Sequence, residues 1–383
     1  MEGDELLLLQ TNQDSSHHFA NFLRRGTTQP SKMAKTLADR QILEAMEDCK
    51  SFMSRWVSGG KTLPDLLSLL KNRLFFLLHE IDNEKAVYTV FEVLNSRGLD
   101  VSWFDRLKSI LMGAAFELKN TNHNGTIADL HNIWRDVYTV IGLRQGLSTE
   151  ALRFAATLWA AEVPSRPLAE EASVDALRSV ATTAKSIHNT ASWLLRVTTA
   201  CDAVTANVRI NSVTRISQAR LLATAITLRD DIDDTQRKPL LALWEKVSFR
   251  IYGMLPNDAR TRVGEYVRLA WQILNEKPSV KSIDAAIREI GSEFTIEKAV
   301  NALRNDNCYI GWETELRYLM FRYEENLAKK QKLNFSNEQW EKIWMVSPSE
   351  SIEHIWAKSK APEKQRHRLG NLVLLPPKLN SKL

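Results

Sequence analysis

Apolar residues recur at intervals of three and four along most of the chain, which is the spacing of one face of an α-helix. The segment 35–57 shows this spacing clearly, ends at Gly59-Gly60, and is followed by a segment that Pro64 opens. Within 64–80, a short alternating stretch suits either a helix or a buried strand. Further helical spacing covers 84–95, 103–119, 127–141, 149–162, 168–197, 213–229, 238–253, 257–275, 281–290, 296–305 and 312–329. The pattern predicts a mainly α fold with a multi-helical body.

The character of the sequence changes after about residue 333. Apolar and polar residues alternate over 351–355, and 371–375 is a short run of residues that favour strands. A basic loop at 357–369 separates the two runs. Two short strands around a loop, after a long helical region, predict a small separate C-terminal module.

The composition limits the class of protein. The 383 residues are 44% hydrophobic and 25% charged, which is ordinary for a globular protein in water. No run approaches the roughly 18 apolar residues of a membrane-spanning helix, so we expect no membrane partner. The three cysteines, Cys49, Cys201 and Cys308, are odd in number and far apart, which argues against a disulfide framework or a cysteine zinc site. The sequence therefore predicts a protein of the reducing cytoplasm.

The positive charge is concentrated at one end. The formal net charge is +5. Residues 351–383 hold seven Lys or Arg and two Glu, so the whole excess lies in this segment. A charge run is often only a solvated surface. A basic segment confined to one end also suits a phosphate-rich ligand such as nucleic acid.

A turn at 95–98 and a helix start after it form the first candidate motif. Ser102, followed by Asp105 three residues on, resembles a capping box at a helix N-terminus. One interpretation is therefore a helix, a tight turn and a capped helix. The other is that Asn95 and Arg97 line a phosphate or nucleotide pocket beside a helix N-terminus.

The stretch FEVLNSRGLDVSWFDRLKSIL, residues 91–111, resembles the N-terminal domain of GmrSD-type restriction enzymes, which defend prokaryotes against phage DNA. The matching positions are Phe91, Glu92, Asn95, Arg97, Gly98, Asp105 and Lys108. The resemblance implies a ParB-like domain linked to nucleotide binding, with these candidate nucleotide contacts: Asn95, Arg97, Asp105 and Lys108. The family's upstream string Asp-Gly-Gln-Gln-Arg is absent, and 233–237 is only an echo that lacks the Gly. We therefore expect a partial domain, in which a bound nucleotide is doubtful.

A second motif lies in the C-terminal module. It reads Ile-Glu-His-Ile-Trp at 352–356, then Arg-Leu-Gly-Asn-Leu-Val-Leu-Leu at 368–375, then Asn380. This order resembles the HNH (His-Me finger) nuclease domain of the same family. The nine-residue step from Asn371 to Asn380 also resembles the HNH domain of CRISPR nucleases. The resemblance implies a ββα-metal module, and because the chain stops at Leu383 we expect it to lack its final helix.

The residue types of this motif suit phosphodiester hydrolysis, which needs an activated water, a base and a cation. His354 is the candidate base because imidazole titrates near neutral pH. Glu353, on the opposite strand face, and the side-chain carbonyl of Asn380 are candidate ligands of one Mg²⁺ or Mn²⁺ ion. The resemblance implies that Asn371 orients the His354 ring. A single His in a strand is otherwise often only a packed residue.

The basic loop is the candidate DNA contact. Its cations suit phosphates on either side of a cut, which gives affinity without sequence choice. They are Lys358, Lys360, Lys364, Arg366 and Arg368. We expect His367, in the same loop, to be a surface or phosphate contact and not a second base.

Together these features predict three regions. They are a partial ParB-like domain at 1–120, a helical middle at 121–332 and a truncated HNH-like module at 333–383. The leading hypothesis is a metal-dependent endonuclease that cuts modified phage DNA in a prokaryotic cytoplasm. A non-catalytic DNA-binding or regulatory remnant is the alternative. A third is a helical scaffold completed by a neighbouring chain or a second copy.

Overall fold

Helices dominate the computed structural model of the protein. It describes residues 16–27, 29–75, 90, 101–118, 123–207, 215–255, 257–333 and 338–377. The helices are α1 (Ser16–Arg25), α2 (Leu37–Ser58), α3 (Leu63–Arg73), α4 (Trp103–Glu117), α5 (His123–Ile141), α6 (Gln145–Trp159), α7 (Glu170–Val180), α8 (Ala184–Thr205), α9 (Ser217–Leu228), α10 (Asp234–Ser248), α11 (Val263–Asn275), α12 (Val280–Ile290), α13 (Ile296–Ala302), α14 (Glu313–Lys330), α15 (Glu338–Glu341) and α16 (Glu363–Arg366). Within these residues, the sheet structure is one hairpin of β1 (Ile352–His354) and β2 (Leu372–Leu374). The prediction of a mainly α fold is confirmed.

Side-chain caps decide where several helices begin. Thr62 and Asp65 form a reciprocal capping box at the start of α3, with the Asp65 amide donating to Thr62 Oγ1 (3.2 Å) and the Thr62 amide donating to Asp65 Oδ2 (3.0 Å). Pro64 lies in the first turn, where its missing N–H costs nothing. The helical interpretation of this region therefore holds as far as Arg73, and 76–80 lie outside the described residues. Residues 233–237, which partly match the family's string Asp-Gly-Gln-Gln-Arg, also form a helix cap. Asp233 accepts the Gln236 amide (3.0 Å) and starts α10.

The structure differs from the predicted segments in two places. The single segment expected at 168–197 is two helices, α7 and α8. Thr183 accepts the amide of Ser186 (3.2 Å), and Ser186 Oγ accepts the amide of Thr183 (2.9 Å), so a new helix starts although the apolar spacing continues. The segment expected at 238–253 ends in a π-helix, Phe249–Met254.

The chain forms two compact units. One comprises Met1–Thr149 and Leu177–Thr198, and the other comprises Glu150–Ala176 and Thr199–Leu383. The predicted boundaries at 120 and 332 stay a prediction. None of the helices in the described ranges is long and apolar enough to cross a membrane.

The first unit packs α4 against α5. Phe104 and Trp134 are both buried, and their rings meet edge to face with centroids 5.0 Å apart. In the second unit, α9 packs against α11, and α10 packs against α12. Buried Trp244 ties α10 to α9 by donating its indole N–H to the carbonyl of Ala219 (2.8 Å).

The hairpin is held by the second unit's helices, which a two-stranded sheet needs because it is marginal alone. Its buried residues share a core with the π-helix, the 308–309 segment, α14 and the 343–344 turn; the core is Phe249, Cys308, Tyr309, Leu316, Tyr318, Phe321, Ile343, Trp344, Ile352, Leu372 and Leu374. Burying each of the three hairpin side chains contributes about 1.5–3 kcal/mol. Arg317 of α14 also donates to the carbonyls of Ile343 (2.6 Å) and Val346 (2.8 Å). The two predicted strands are thus present and anchored on α14.

Candidate functional site

The hairpin places the two residues of the Glu-His pair on opposite faces. β1 and β2 are antiparallel, with Ile352 opposite Leu374, Glu353 opposite Val373 and His354 opposite Leu372. Paired residues share a face of a sheet. His354 therefore lies on the buried face with the hairpin's apolar residues, and Glu353 lies half-buried on the other face.

The ring of His354 contacts two other rings at the end of β1. Its Nε2 lies 3.1 Å from Nδ1 of His367, which is hydrogen-bonding distance. Tyr309 meets His354 edge to face, with centroids 5.0 Å apart, and stacks on His367, with centroids 5.6 Å apart and planes 11° apart. The two histidines and the tyrosine form one cluster, the His-His-Tyr cluster.

Both imidazoles of this cluster have pKa values below the ordinary value, which favours their neutral form. Burial lowers the pKa of His354 to about 4, helped by the charge of Lys358 and by His367. Burial also lowers the pKa of His367, with Lys358 and Arg366 adding to the effect. The Lys358 ammonium lies 4.6 Å from the Tyr309 ring centre, so it is close to the cluster. A neutral ring has a nitrogen lone pair, which is the form that can take a proton.

The place of His367 is a correction to the expectation from sequence. It is half-buried and bonded to His354, and is not a simple surface contact. Its carbonyl accepts the Cys308 amide (2.8 Å) in an isolated bridge that brings the 307–309 segment beside the loop. The sequence pattern also gave no sign that Tyr309 lies beside His354. Residues this distant in sequence leave no local pattern that would pair them.

Asn371 bonds to main chain at both ends of the basic loop. Its Oδ1 accepts the Trp356 amide (2.7 Å), and its Nδ2 donates to the carbonyls of Trp356 (3.1 Å) and Arg366 (2.9 Å). These bonds fix the residues that follow His354 and precede His367. Any effect of Asn371 on the His354 ring thus passes through the loop, and its role as an orienting residue stays a prediction.

This cluster lies inside a segment with a recognisable relative. Residues 294–383 match the family of GmrSD restriction endonucleases, C-terminal domain. This part of the chain is therefore similar to the C-terminal domain of that restriction endonuclease family. It includes Tyr309 and α14 as well as the hairpin. No curated protein matches the chain.

The cations of the GmrSD-like segment are unequal. Lys358, Lys360 and Lys364 are exposed. Arg368 donates to Asp306 (2.8 Å), so its charge is largely offset by that carboxylate. Arg366 is half-buried, with one guanidinium nitrogen 3.5 Å from the carbonyl of Ala361. The three lysines are therefore the cations of this set best exposed for binding phosphates.

The candidate metal ligands of the GmrSD-like segment are only partly described. In the described ranges, no group of three or more His, Cys, Asp or Glu side chains is arranged to hold a metal ion. Glu353 forms no ion pair with another described residue, so its carboxylate is available. Asn380 lies outside the described residues. One available carboxylate suits Mg²⁺, which takes few protein ligands and keeps waters or binds substrate phosphates.

The described residues of the first motif contact neighbouring side chains of α4 and α5. Asn95 and Arg97 lie outside the described residues. Asp105 accepts the hydroxyls of Ser102 (2.6 Å) and Tyr138, one on each carboxylate oxygen, and the Ser102 hydroxyl caps α4 by accepting the Asp105 amide (3.1 Å). The Lys108 ammonium lies 5.1 Å from the Tyr138 ring centre. A nucleotide contact by Asp105 or Lys108 stays a prediction.

Proposed function

We propose that the chain is a metal-dependent DNA endonuclease of the GmrSD restriction type, in which His354 activates the attacking water. The observation that carries this proposal is the hydrogen-bonded imidazole of His354 at the end of the hairpin, whose pKa burial lowers, beside exposed lysines and inside the GmrSD-like segment. Acid-base groups with shifted pKa values in such a setting are candidates for catalysis.

The reaction is hydrolysis of one phosphodiester. A water oxygen forms a bond to phosphorus, one ester P–O bond breaks, and the water proton passes to His354. The departing oxygen takes a proton from solvent, and His354 later returns its own. General-base catalysis of this kind is worth about 100- to 10,000-fold in rate.

Glu353 is the proposed protein ligand of one Mg²⁺ or Mn²⁺ ion, with Asn380 as a second. Such an ion would supply positive charge for the phosphate oxygens as negative charge builds up. The residues of the chain hold the DNA and move the proton. Glu353 lies on the opposite hairpin face from the His354 ring, but its carboxylate is close enough to Tyr309 to help raise the pKa of that residue.

The DNA strand would be held by Lys358, Lys360 and Lys364 through its phosphates. An exposed aromatic side chain adds a second type of contact, because Trp356 is 46% exposed while its main chain is fixed by Asn371. Aromatic rings in basic surroundings stack on unpaired bases, worth about 1–3 kcal/mol each. We expect Trp356→Ala to weaken DNA binding, whereas Met345→Ala, which removes another exposed side chain, should not.

We further propose modified phage DNA as the substrate, because GmrSD-type enzymes act in defence. The test is cleavage of glucosylated, hydroxymethylated, phosphorothioated and plain DNA with Mg²⁺ or Mn²⁺. Wild type and a His188→Ala control, whose exposed histidine lies in α8, should cut, and His354→Ala should not. Equal cutting by all three would reject His354 as the base. Salt-dependent binding without cutting by any of them would favour the non-catalytic DNA-binding reading.

A further inference from the structure

The contact between His354 and His367 limits where their protons lie. A hydrogen bond between two nitrogens needs one donor and one acceptor. Because His354 Nε2 and His367 Nδ1 lie 3.1 Å apart, one of the two nitrogens carries the proton of this bond and the other accepts it. Either His354 donates from Nε2, or His367 donates from Nδ1.

The two arrangements have opposite consequences for catalysis. If His367 donates, then His354 carries its proton on Nδ1 and its basic nitrogen is occupied by the bond. If His354 donates, its Nδ1 is the unprotonated nitrogen. Nδ1 has no hydrogen-bond partner among the described residues, so it is the nitrogen that can take a proton.

The ring of His367, which would accept the hydrogen bond from His354, is held in place by the rest of the cluster. Tyr309 stacks on His367, and the main chain on both sides of the ring is bonded, at the Arg366 carbonyl by Asn371 (2.9 Å) and at the His367 carbonyl by the Cys308 amide (2.8 Å). A ring held in this way presents Nδ1 to His354 in one direction. In many enzymes, a carboxylate accepts a hydrogen bond from the catalytic histidine and orients its ring. Here a neutral imidazole takes the place of the carboxylate.

We propose that His367 is a positioning residue for the reaction: its Nδ1 accepts the Nε2–H of His354 and leaves His354 Nδ1 as the proton acceptor. This inference rests on the proposed function. When His354 Nδ1 takes the water proton, the ring becomes a cation, and the Nε2–H bond to His367 becomes a stronger, charge-assisted bond. A neutral His367 thus stabilises the charged form of the base without touching the DNA, whereas a protonated His367 would repel that charge.

The activity test compares three substitutions at 367 in the full chain with saturating DNA. Asn places its Oδ1 where the imidazole Nδ1 was, whereas Gln reaches one atom too far. We expect His367→Ala to lower kcat about 10- to 100-fold, as loss of such a supporting bond typically does, with little change in KM. His367→Asn should recover most of kcat, and His367→Gln should not. Wild-type kcat in His367→Ala, or no recovery in His367→Asn, would overturn the proposal.

The second readout does not depend on cleavage. Nitrogen-15 NMR of the metal-free chain reports which ring nitrogen of each histidine carries the proton. We expect a fully protonated Nε2 and an unprotonated Nδ1 on His354, with a shift towards the mixture of tautomers of free histidine in His367→Ala and no shift in the exposed-site control His188→Ala. A proton on Nδ1 of His354 in the wild type would overturn the inference. If the expected tautomer is present but the wild type cuts no DNA, the proposed function fails instead.

Discussion

The two motif regions of the chain both resemble the same family as sequence, yet their polar groups are used differently. In the first, both carboxylate oxygens of Asp105 accept hydroxyl protons, so the group serves the start of α4 and its packing against Tyr138. In the second, His354 is just as firmly held but keeps one ring nitrogen without a partner among the described residues. A count of hydrogen bonds, taken atom by atom, thus distinguishes a carboxylate whose two oxygens are both bonded from an imidazole with one unpartnered nitrogen.

The largest expected effect is the loss of His354, and the contrast between the two regions fails if this residue is dispensable. We expect His354→Ala to lower the rate of DNA cleavage about 100- to 10,000-fold, the range for loss of a general base. Circular dichroism should show an unchanged helical content, because the helical body does not depend on this ring. Single-turnover cleavage with Mn²⁺ measures the effect. If the cleavage rate of a folded variant fell by less than threefold, His354 would be only a packed residue.

A substitution in the first motif tests whether its hydrogen bonds stabilise the fold. Asp105→Ala removes the acceptor of the Ser102 and Tyr138 hydroxyls, and a polar group left unsatisfied typically costs about 1–3 kcal/mol. Burial, the largest cause, raises the pKa of Tyr138 well above its ordinary value and remains in the variant, so the tyrosine cannot compensate by ionising. Urea unfolding should show the loss, and Asp129→Ala, at an exposed position of α5, should not. Wild-type stability together with a lost nucleotide-dependent shift in Tm would instead support a nucleotide contact.

A smaller effect tests the environment of His354 through pH. Because its pKa falls from an ordinary 6.5 to about 4, the unfolded chain binds a proton more readily than the folded chain between these values. The free energy of unfolding should therefore decrease as the pH falls from 6.5 towards 4. His354→Gln, which does not titrate, should weaken this dependence. An unaltered pH dependence in the variant, measured without metal, would show that the ring is not held neutral.

The smallest expected effect concerns the basic loop. Removing a lysine that contacts a phosphate should reduce the slope of log binding constant against log salt by about 1. We expect this for Lys358→Ala, and a smaller change for Arg368→Ala because Asp306 already offsets that charge. Arg368→Ala in an Asp306→Ala background should then have a larger effect. Equal slopes for Lys358→Ala and Arg368→Ala would mean that the Asp306 ion pair does not persist on DNA.

The sequence predicted much of the local structure and little of the cluster. Apolar spacing gave the helices, and strand alternation placed Glu353 and His354 on opposite faces, because both signals lie within a few residues. The break between α7 and α8 was missed because Thr183 and Ser186 act through side-chain bonds that periodicity does not detect. His367 and Tyr309 reach His354 only after α14 and the hairpin pack together. Such contacts depend on tertiary structure, which spacing along the chain does not encode.

The central claim is that His354 is the base and that His367 acts through it. A double-mutant cycle on the single-turnover cleavage rate tests this directly, with His354→Ala, His367→Ala and the double variant measured on the same DNA. The account predicts that the double variant cuts at the rate of His354→Ala alone, because a positioning residue has nothing to position once the base is gone. If the two losses multiply instead, the histidines act independently, and the account is contradicted.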